Sequence, residues 1–422
     1  MSKPFTPPKP SLQAAATTSL WKQIIQRFRS MIGTGIFVGI GLAAGASPGL
    51  VIAIGLAALV AWINSMGEAQ LATPEESFES LMHPSWLQFA ADWILFLAKL
   101  TSAATATLGL SGYLLGNLHP SAPFWLVPTA LLVLWIISGI GMRRRLSGRF
   151  VILTMPMAVV ALVGLILAGL PALRLPVLGQ SLPELLSGNL LQATALLTVA
   201  YAGYEGLVPQ TTLQLSRQGL RATQWAIGLA WLLYSGVAVI IVELMGTLVL
   251  NSVTQATLSP LIVVMQLLSV PVGGAVIRLG GIAGLAGIVG LLLPKLTDRL
   301  LLITQPLDGS ETWQLRSTSL NFSPQMSWVL ITIAISCILL IGDIQPIWSF
   351  SCVAFLLRYA LVHLQALQQS QFRLYWRGWN GLGVGICLVL ALWIDWSMWL
   401  VCLGLMSLGL IWRGMTQWSQ EE

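Results

Sequence analysis

Long apolar runs, separated by short polar or turn-rich segments, follow one another along most of the chain. Crossing a bilayer as a helix takes about 20 consecutive apolar residues. Read between turn signals, the runs predict helices at 25–45, 49–71, 87–116, 123–141, 150–170, 190–213, 223–249, 272–296, 326–342, 345–366, 379–394 and 396–412. The pattern predicts an all-α integral membrane protein with about twelve transmembrane helices.

The composition favours the same class. Of 422 residues, 56% are hydrophobic and 9% are charged, whereas a soluble globular domain carries about 25% charged residues. The lipid bilayer is therefore the expected partner of most of the surface, and no separate soluble domain fits between the spans. The four cysteines lack the close paired spacing of a zinc or redox motif, and the sequence predicts no metal site and no cofactor.

The formal net charge of +6 is explained by where the basic residues lie. With the N-terminus in the cytoplasm, nearly all of the 21 lysines and arginines fall in cytoplasmic segments, as the positive-inside rule requires. The charge pattern predicts a multi-pass protein of the cell (inner) membrane with both termini cytoplasmic. It does not indicate nucleic-acid binding, since no basic patch is interleaved with base-stacking aromatics. Tryptophans near the span ends, Trp348 among them, are predicted to be interfacial anchors.

The first predicted helix is rich in glycine, with Gly33, Gly35, Gly39, Gly41 and Gly45 in one span. Glycine costs about 1 kcal/mol relative to alanine in a helix interior, so the segment from Gly33 to Gly35 is expected to unwind near the bilayer midplane. The alternative is close packing, because glycines four residues apart let two helices approach each other. Both interpretations hold together if the first glycines open and the last ones pack.

The sixth predicted helix is interrupted around an acidic residue, Glu205, by Gly203, Gly206 and Pro209. An ionisable side chain at the centre of a membrane helix costs about 2.5–3.5 kcal/mol to insert, so it usually faces a cavity, a partner or a proton path. The alternative is a carboxyl group that reaches the cytoplasmic interface or is paired structurally. Glu205 is therefore a candidate functional residue.

The two interrupted helices open two groups of five spans, which is typical of an inverted repeat. The predicted organisation is a cytoplasmic tail at 1–24, a first repeat at 25–189, a second repeat at 190–366, and two further helices with a short cytoplasmic C-terminus at 367–422. In transporters of this type, freed backbone NH groups receive an anion and freed carbonyls receive a cation. The residues alone thus indicate a secondary transporter for a zwitterion or a small charged solute.

Several segments, in the same order, resemble motifs of the amino acid, polyamine and organocation (APC) superfamily of permeases. They are Ile32 to Phe37 in the first helix, Ser65 to Pro74 at the end of the second, Trp93 to Tyr113 in the third, Ala200 to Glu205 in the sixth, and Asp298 to Gly309 after the eighth. The resemblance covers residues 25 to 366. It implies a five-plus-five inverted-repeat fold with broken helices 1 and 6 and two extra C-terminal helices.

The same resemblance implies a function and a substrate site. The chain would be a permease for a small amino acid or a related amine, working by alternating access with the substrate between broken helices 1 and 6. The substrate carboxylate would be held at the first break, by Gly33, Thr34, Gly35 and Ile36. The ammonium group would be held at the sixth-helix break by the carbonyls of Tyr201, Ala202 and Gly203. Tyr204 would pack against the substrate or gate the pocket.

Coupling or gating is assigned by the resemblance to Glu205, which matches the family's acidic position after the sixth-helix break. Lys99 in the third helix is a further candidate, because it could pair with one of the acidic residues. Glu68 and Glu243 are also candidates for a transport role, because each lies in or near a predicted span. Structural pairing or extension of the side chain to the interface is the alternative. Neither the fifth-helix lysine of some proton-coupled members nor the eighth-helix hydroxyls of a sodium site are found in the sequence. Coupling to protons (H+) or to exchange stays open.

Two other functions stay open as alternatives. A membrane-embedded enzyme should carry clustered catalytic groups, and the sequence shows none, so the chain is predicted not to be an enzyme. A transport-inactive, transporter-like sensor or subunit is suggested by the stretch after Glu205, which departs from the family pattern. The pocket segments contain few charges besides Glu205, and a neutral, small or apolar amino acid is the favoured substrate.

Overall fold

The computed structural model describes residues 19–71, 86–116, 122–144, 147–173, 189–205, 217–304, 323–368 and 374–421. Within those ranges the chain is built of helices and contains no β-strand. The all-α class is confirmed. Most of the predicted N-terminal tail, the ends of the second-helix and post-eighth-helix motifs, and the stretch after Glu205 lie outside the described residues.

The helices are named in chain order. The first part of the chain forms α1 (Leu20–Met31), α2 (Ile40–Ala44), α3 (Leu50–Leu71), α4 (Trp86–Leu115), α5 (Ala122–Arg144) and α6 (Ser147–Gly169). The second part forms α7 (Leu190–Thr198), α8 (Arg217–Thr257), α9 (Pro260–Leu267), α10 (Gly273–Thr304), α11 (Pro324–Leu339), α12 (Ile344–Gln368), α13 (Leu374–Leu392) and α14 (Trp396–Glu421). A π-helix (Gly35–Gly39) precedes α2, and single 3₁₀ turns follow α6 (Leu170–Ala172) and α7 (Val199–Tyr201).

Eight helices in the described part of the chain are long and apolar enough to cross a membrane, which fits a membrane-embedded, multi-pass protein. Three shorter apolar stretches, Gly35–Ala44, Leu190–Tyr201 and Pro324–Leu339, coincide with the first, sixth and ninth predicted spans. Every predicted range overlaps a described helix. The count of twelve crossings and the inverted repeat stay predictions.

Helix α4 lies at the centre of the bundle. Its most apolar stretch is entirely buried by protein, whereas α5 and α14 leave most of theirs exposed, as expected for helices that face lipid. Helix α12 packs along α4, and α10 packs against both α4 and α6. Polar side chains on the inner faces of α4, α10 and α12 are therefore held deep inside the protein.

The first predicted span is broken where its glycines predict a break. Helix α1 ends at Met31, Ile32 has extended backbone (φ −73°, ψ 112°), and helical structure resumes at Gly35. It resumes as a π-helix, a wide form that is rare and often lies at functional sites. At this helix start the NH groups of Ile36 and Phe37 both donate to the carbonyl of Gly33 at 3.2 Å, so the extended link closes with a tight turn.

Glycines later in the same span pack against another helix, as the alternative interpretation predicts. A Cβ atom on Gly41 would lie 2.7 Å from the Cβ of Thr254, and one on Gly45 would lie 2.6 Å from the Cγ of Asn251. Both partners are on α8, so the span unwinds at its first glycines and packs closely at its last ones. Glycines of α10 likewise lie against neighbouring helices, at Gly281, Gly284 and Gly287.

Helix α8 is longer than predicted. The apolar pattern predicts a span at 223–249, whereas the helix runs to Thr257 and changes direction at Gly246, whose backbone φ is +70°. Glycine adopts this left-handed region at little cost. Helix α9, eight residues long, follows and was not predicted. It is too short to cross a bilayer.

Candidate functional site

The breaks in the first and sixth spans meet each other. Beyond the 3₁₀ turn that follows α7, Ala202 is extended (φ −66°, ψ 151°) and Gly203 takes a φ of +132°. A Cβ atom on Gly35 would collide with the backbone of Ala200, and one on Gly203 would lie 2.8 Å from the carbonyl carbon of Ser30. The two breaks can touch because both contact positions are glycine.

One hydroxyl group joins the two breaks. The Oη atom of Tyr234, a buried residue of α8, lies 2.8 Å from the carbonyl oxygen of Met31 and 3.1 Å from that of Ala200. Both carbonyls are at half-helix ends, where intrahelical donors are missing. The hydroxyl carries one proton and donates to either carbonyl in turn, so Tyr234 stabilises the two half-helix ends side by side.

A small cavity lies beside this junction. Its volume is about 50 Å³, and its walls come from both breaks and from α4, α10 and α12. They include Thr34, Lys99, Ala202, Ile288, Leu292 and Trp348. Pockets that bind small molecules usually measure about 300–1,000 Å³, and a single water occupies about 30 Å³ of liquid. The cavity has room for water-sized molecules only, and an amino acid fits only after the helices move apart.

Lys99 and Glu205 form a buried ion pair at this cavity. The Nζ of Lys99 lies 2.8 Å from Oε2 of Glu205, and the two side chains are 5% and 0% exposed. Charges removed from water at this depth are tolerated when they are paired and when their remaining lone pairs are hydrogen-bonded. The expected pairing of Lys99 with an acidic residue is confirmed, and its partner is Glu205.

Glu205 accepts two further hydrogen bonds. The backbone NH of Gly203 donates to Oε2 at 2.7 Å, and the hydroxyl of Tyr359, on α12, donates to Oε1. The first bond satisfies an NH group that the break releases from the helix, because the carboxylate reaches back two residues. The second bond ties the break to α12. Most of the acceptor capacity of the carboxylate is thereby used, which leaves little for a substrate ammonium group.

A second ion pair lies next to the first. Arg358, on α12, donates to both carboxylate oxygens of Glu68 on α3. Its neighbour Tyr359 stacks on Tyr204, with 6.3 Å between the ring centroids. Glu68 therefore has a structural partner, as the alternative interpretation allowed. Glu243, on α8, forms no ion pair with any residue that the structure describes.

The structure brings some of the predicted site residues to the cavity wall. Thr34, Gly35, Ala202 and Lys99 line it. Gly33 lies directly behind the wall, where a Cβ atom would overlap the side chain of Ile288. The first break, the sixth break and α4 therefore meet at one place, although they are distant in sequence.

Other predicted residues lie away from the wall. Ile36 is buried in the hydrophobic core. The hydroxyl of Tyr201 donates to the carbonyl of Ile54 at 3.1 Å, and that of Tyr204 donates to the carbonyl of Ala61 at 3.3 Å, both on α3. In the arrangement seen, these two tyrosines anchor the sixth-span break to α3.

Three aromatic residues of the site have no predicted site role: Tyr234, Tyr359 and Trp348. The prediction that Trp348 is an interfacial anchor is wrong, since its side chain is 1% exposed. Its Nε1 donates to the carbonyl of Leu196 at 3.0 Å, and its ring lies against Gly39. It lines the cavity beside the last turn of α7. No local pattern distinguishes these rings from ordinary core residues, because their roles come from hydroxyl or NH partners on other helices.

No family model matches this chain, and no curated protein matches it. The resemblance to the APC superfamily therefore rests on the motifs named above.

Proposed function

We propose that the protein is a secondary transporter, an APC-type permease for a small amino acid or a related amine. The observation that carries the proposal is the contact of two broken helices, Gly35 against Ala200, beside a cavity whose wall includes Lys99, the ion-pair partner of Glu205. Non-helical backbone at membrane depth occurs only where it is buried in protein or lines a cavity. Two such breaks in contact are typical of transporters that bind their substrate between them.

The substrate lies between the two breaks in this proposal. The helix that resumes at Gly35 presents the positive end of its dipole, which favours a carboxylate. The NH groups of Ile36 and Phe37 already donate to the carbonyl of Gly33 at 3.2 Å, so the contact is expected at the backbone of Thr34 and Gly35. Thr34 adds a hydroxyl at the cavity wall. The half-helix that ends at Tyr201 presents carbonyl oxygens, which favour an ammonium group.

Transport requires the closed arrangement to open. A cavity of about 50 Å³ has no room for an amino acid, so the half-helices must separate first. The extended residues Ile32 and Ala202 are natural hinges, because an extended link between helical segments changes its dihedral angles without breaking helical hydrogen bonds. Alternating access follows if the junction opens towards one side of the membrane at a time.

Lys99 and Glu205 are proposed for gating and coupling. Their ion pair joins α4 to the break, and Tyr359 joins the same carboxylate to α12. Any movement of the sixth-span break must carry or separate these charges. Coupling to H+ and exchange are both compatible with this arrangement.

The proposed location is the cell (inner) membrane with both termini in the cytoplasm, supported by the positions of the basic residues. Reporter fusions at each terminus test the topology. Activity of a periplasm-specific reporter at either terminus would contradict it.

Uptake into proteoliposomes tests the transport function. Purified protein is reconstituted, and counterflow of labelled amino acids and amines is measured beside a thermal-shift screen, since a substrate stabilises the folded state by mass action. We expect saturable flux of at least one compound, lost in Gly35→Val and kept in Gly228→Ala, where an added Cβ atom meets nothing within 4 Å. Binding without flux would favour the sensor alternative, and the absence of both would refute the proposal.

A further inference from the structure

The half of α10 that is predicted to lie towards the cytoplasm carries a lysine, Lys295, to which the proposed mechanism gives no role. Ile288 and Leu292 line the cavity, and Lys295 follows on the same helix. An α-helix has about 3.6 residues per turn, so residues seven apart share a face. Lys295 therefore lies on the face of Ile288, roughly 10 Å further along the axis at about 1.5 Å per residue. That direction leads to the helix end which the charge pattern predicts to be cytoplasmic.

Lys295 is partly buried and lies about one helical turn beyond Leu292 of the cavity wall. In the described part of the chain three ion pairs form, and none of them includes Lys295. Arg299, one turn further along α10, differs because it is paired with Asp92. Lys295 is thus a cation without a carboxylate partner among the described residues, placed beside a cavity.

The buried and partly buried charges around the cavity, those of Lys99, Glu205, Glu68, Arg358 and Lys295, sum to a positive value, while Asp298, one turn beyond Lys295, is exposed. Lys99 neutralises Glu205, and Arg358 neutralises Glu68. Lys295 remains, together with the positive end of the helix that resumes after the first break. A partly buried cation gains from a counter-ion, which a solute carboxylate supplies. An amine without a carboxylate brings a second positive charge, and like charges in proximity repel.

We propose that Lys295 binds the substrate carboxylate on the cytoplasmic side of the cavity, and that it thereby restricts the pathway to solutes that carry a carboxylate. The inference rests on the proposed transport function and narrows its substrate class from amino acids or amines to amino acids. During transport the substrate carboxylate moves from the helix start at Gly35 to the ammonium group of Lys295, and both groups line the same pathway.

Selectivity of the unaltered protein is the first test. Counterflow into proteoliposomes is measured for each neutral amino acid and for its amide, for example alanine and alaninamide, because the amide keeps the amino group and lacks the carboxylate. We expect flux of amino acids without flux of their amides. Equal flux of both would overturn this inference and leave the transport function standing. Absence of flux for every compound would overturn the transport function, and this inference with it.

Substitution of Lys295 is the second test. For a transported amino acid, Lys295→Gln is expected to raise the apparent KM about tenfold for entry from the cytoplasmic face, measured in inside-out vesicles, with little change from the outer face, measured in cells. Lys295→Arg keeps the charge and is expected to keep the KM. Lys22→Gln, which removes an exposed lysine from α1, is the matched control. An unchanged KM on both faces, or equal changes in Lys295→Gln and Lys22→Gln, would overturn the inference.

Discussion

The Nζ of Lys99 and Oε2 of Glu205 lie 2.8 Å apart in the interior of the protein, although the two residues are 106 positions apart in the chain. The contact ties the centre of α4 to the break in the sixth span. A buried ion pair stabilises a protein little compared with well-packed apolar residues, but removal of one partner leaves an uncompensated charge. The two residues should therefore depend strongly on each other.

A double-mutant cycle tests this dependence. Lys99→Met and Glu205→Gln are each expected to lower the free energy of unfolding by about 3–5 kcal/mol, because each leaves one buried charge unpaired. The double variant removes both charges and should recover part of the loss. Unfolding of the purified protein in detergent, followed by temperature or denaturant, gives the three values. Losses that simply add in the double variant would show that the two side chains act independently.

Tyr234 is expected to hold the two half-helix ends together. Tyr234→Phe keeps the ring and removes the donor to the carbonyls of Met31 and Ala200. A buried acceptor left without a partner costs about 1–3 kcal/mol, so the melting temperature should fall and the breaks should separate more easily. Tyr375→Phe, at an exposed tyrosine, is the matched control. Equal melting temperatures for the two variants would contradict the assigned role of Tyr234.

The sequence predicts the positions of the breaks because the cause is local. Gly33 and Gly35 weaken the first span wherever the helix lies, and Gly203 weakens the sixth. The partner of Lys99 could not be chosen in the same way, since Glu68, Glu205 and Glu243 are all acidic residues in or near spans. The choice depends on which helix faces α4, and that is decided by packing of the whole bundle.

The aromatic residues of the site illustrate the same limit. Trp348 lies close to the start of its helix, where indole rings often meet the membrane interface, and the structure buries it between α7 and the π-helix. In the sequence, Tyr359 cannot be distinguished from other tyrosines in apolar helices, yet its hydroxyl donates to Glu205. A pattern along one helix carries no information on the groups that other helices present to it.

His363 is expected to fasten α13 to the rest of the bundle. Its Nδ1 lies 3.0 Å from Oδ1 of Asn380 on α13, and its Nε2 lies 3.2 Å from Oδ1 of Asn64 on α3. His363→Leu leaves Oδ1 of Asn380 without this partner and leaves Oδ1 of Asn64 with only the weak thiol donor of Cys387 at 3.3 Å, and a buried unsatisfied group costs about 1–3 kcal/mol. The melting temperature should fall well below that of Gln218→Leu, a polar-to-apolar control at an exposed position of α8. A similar melting temperature for both variants would contradict the role of His363.

The π-helix after the first break packs against α4 where Val38 faces Gly109. A methyl group can be removed from one of these residues and added to the other. A Cβ atom on Gly109, in α4, would lie 2.8 Å from Cγ2 of Val38, and its next contact would be 3.4 Å from Leu285. Gly109→Ala is therefore expected to destabilise the protein by about 1–3 kcal/mol through overpacking. Val38→Ala removes the methyl group that is in the way.

The double variant Gly109→Ala/Val38→Ala should consequently be more stable than the sum of the two single changes predicts, because the new methyl group occupies the space that the old ones leave. Gly228→Ala, with nothing within 4 Å of its added Cβ atom, controls for the helix propensity gained when glycine is replaced, about 1 kcal/mol. Thermal unfolding of the four variants checks the prediction. Strictly additive losses would mean that the π-helix and α4 are not in contact at this point, and the position of the first break beside α4 would then be wrong.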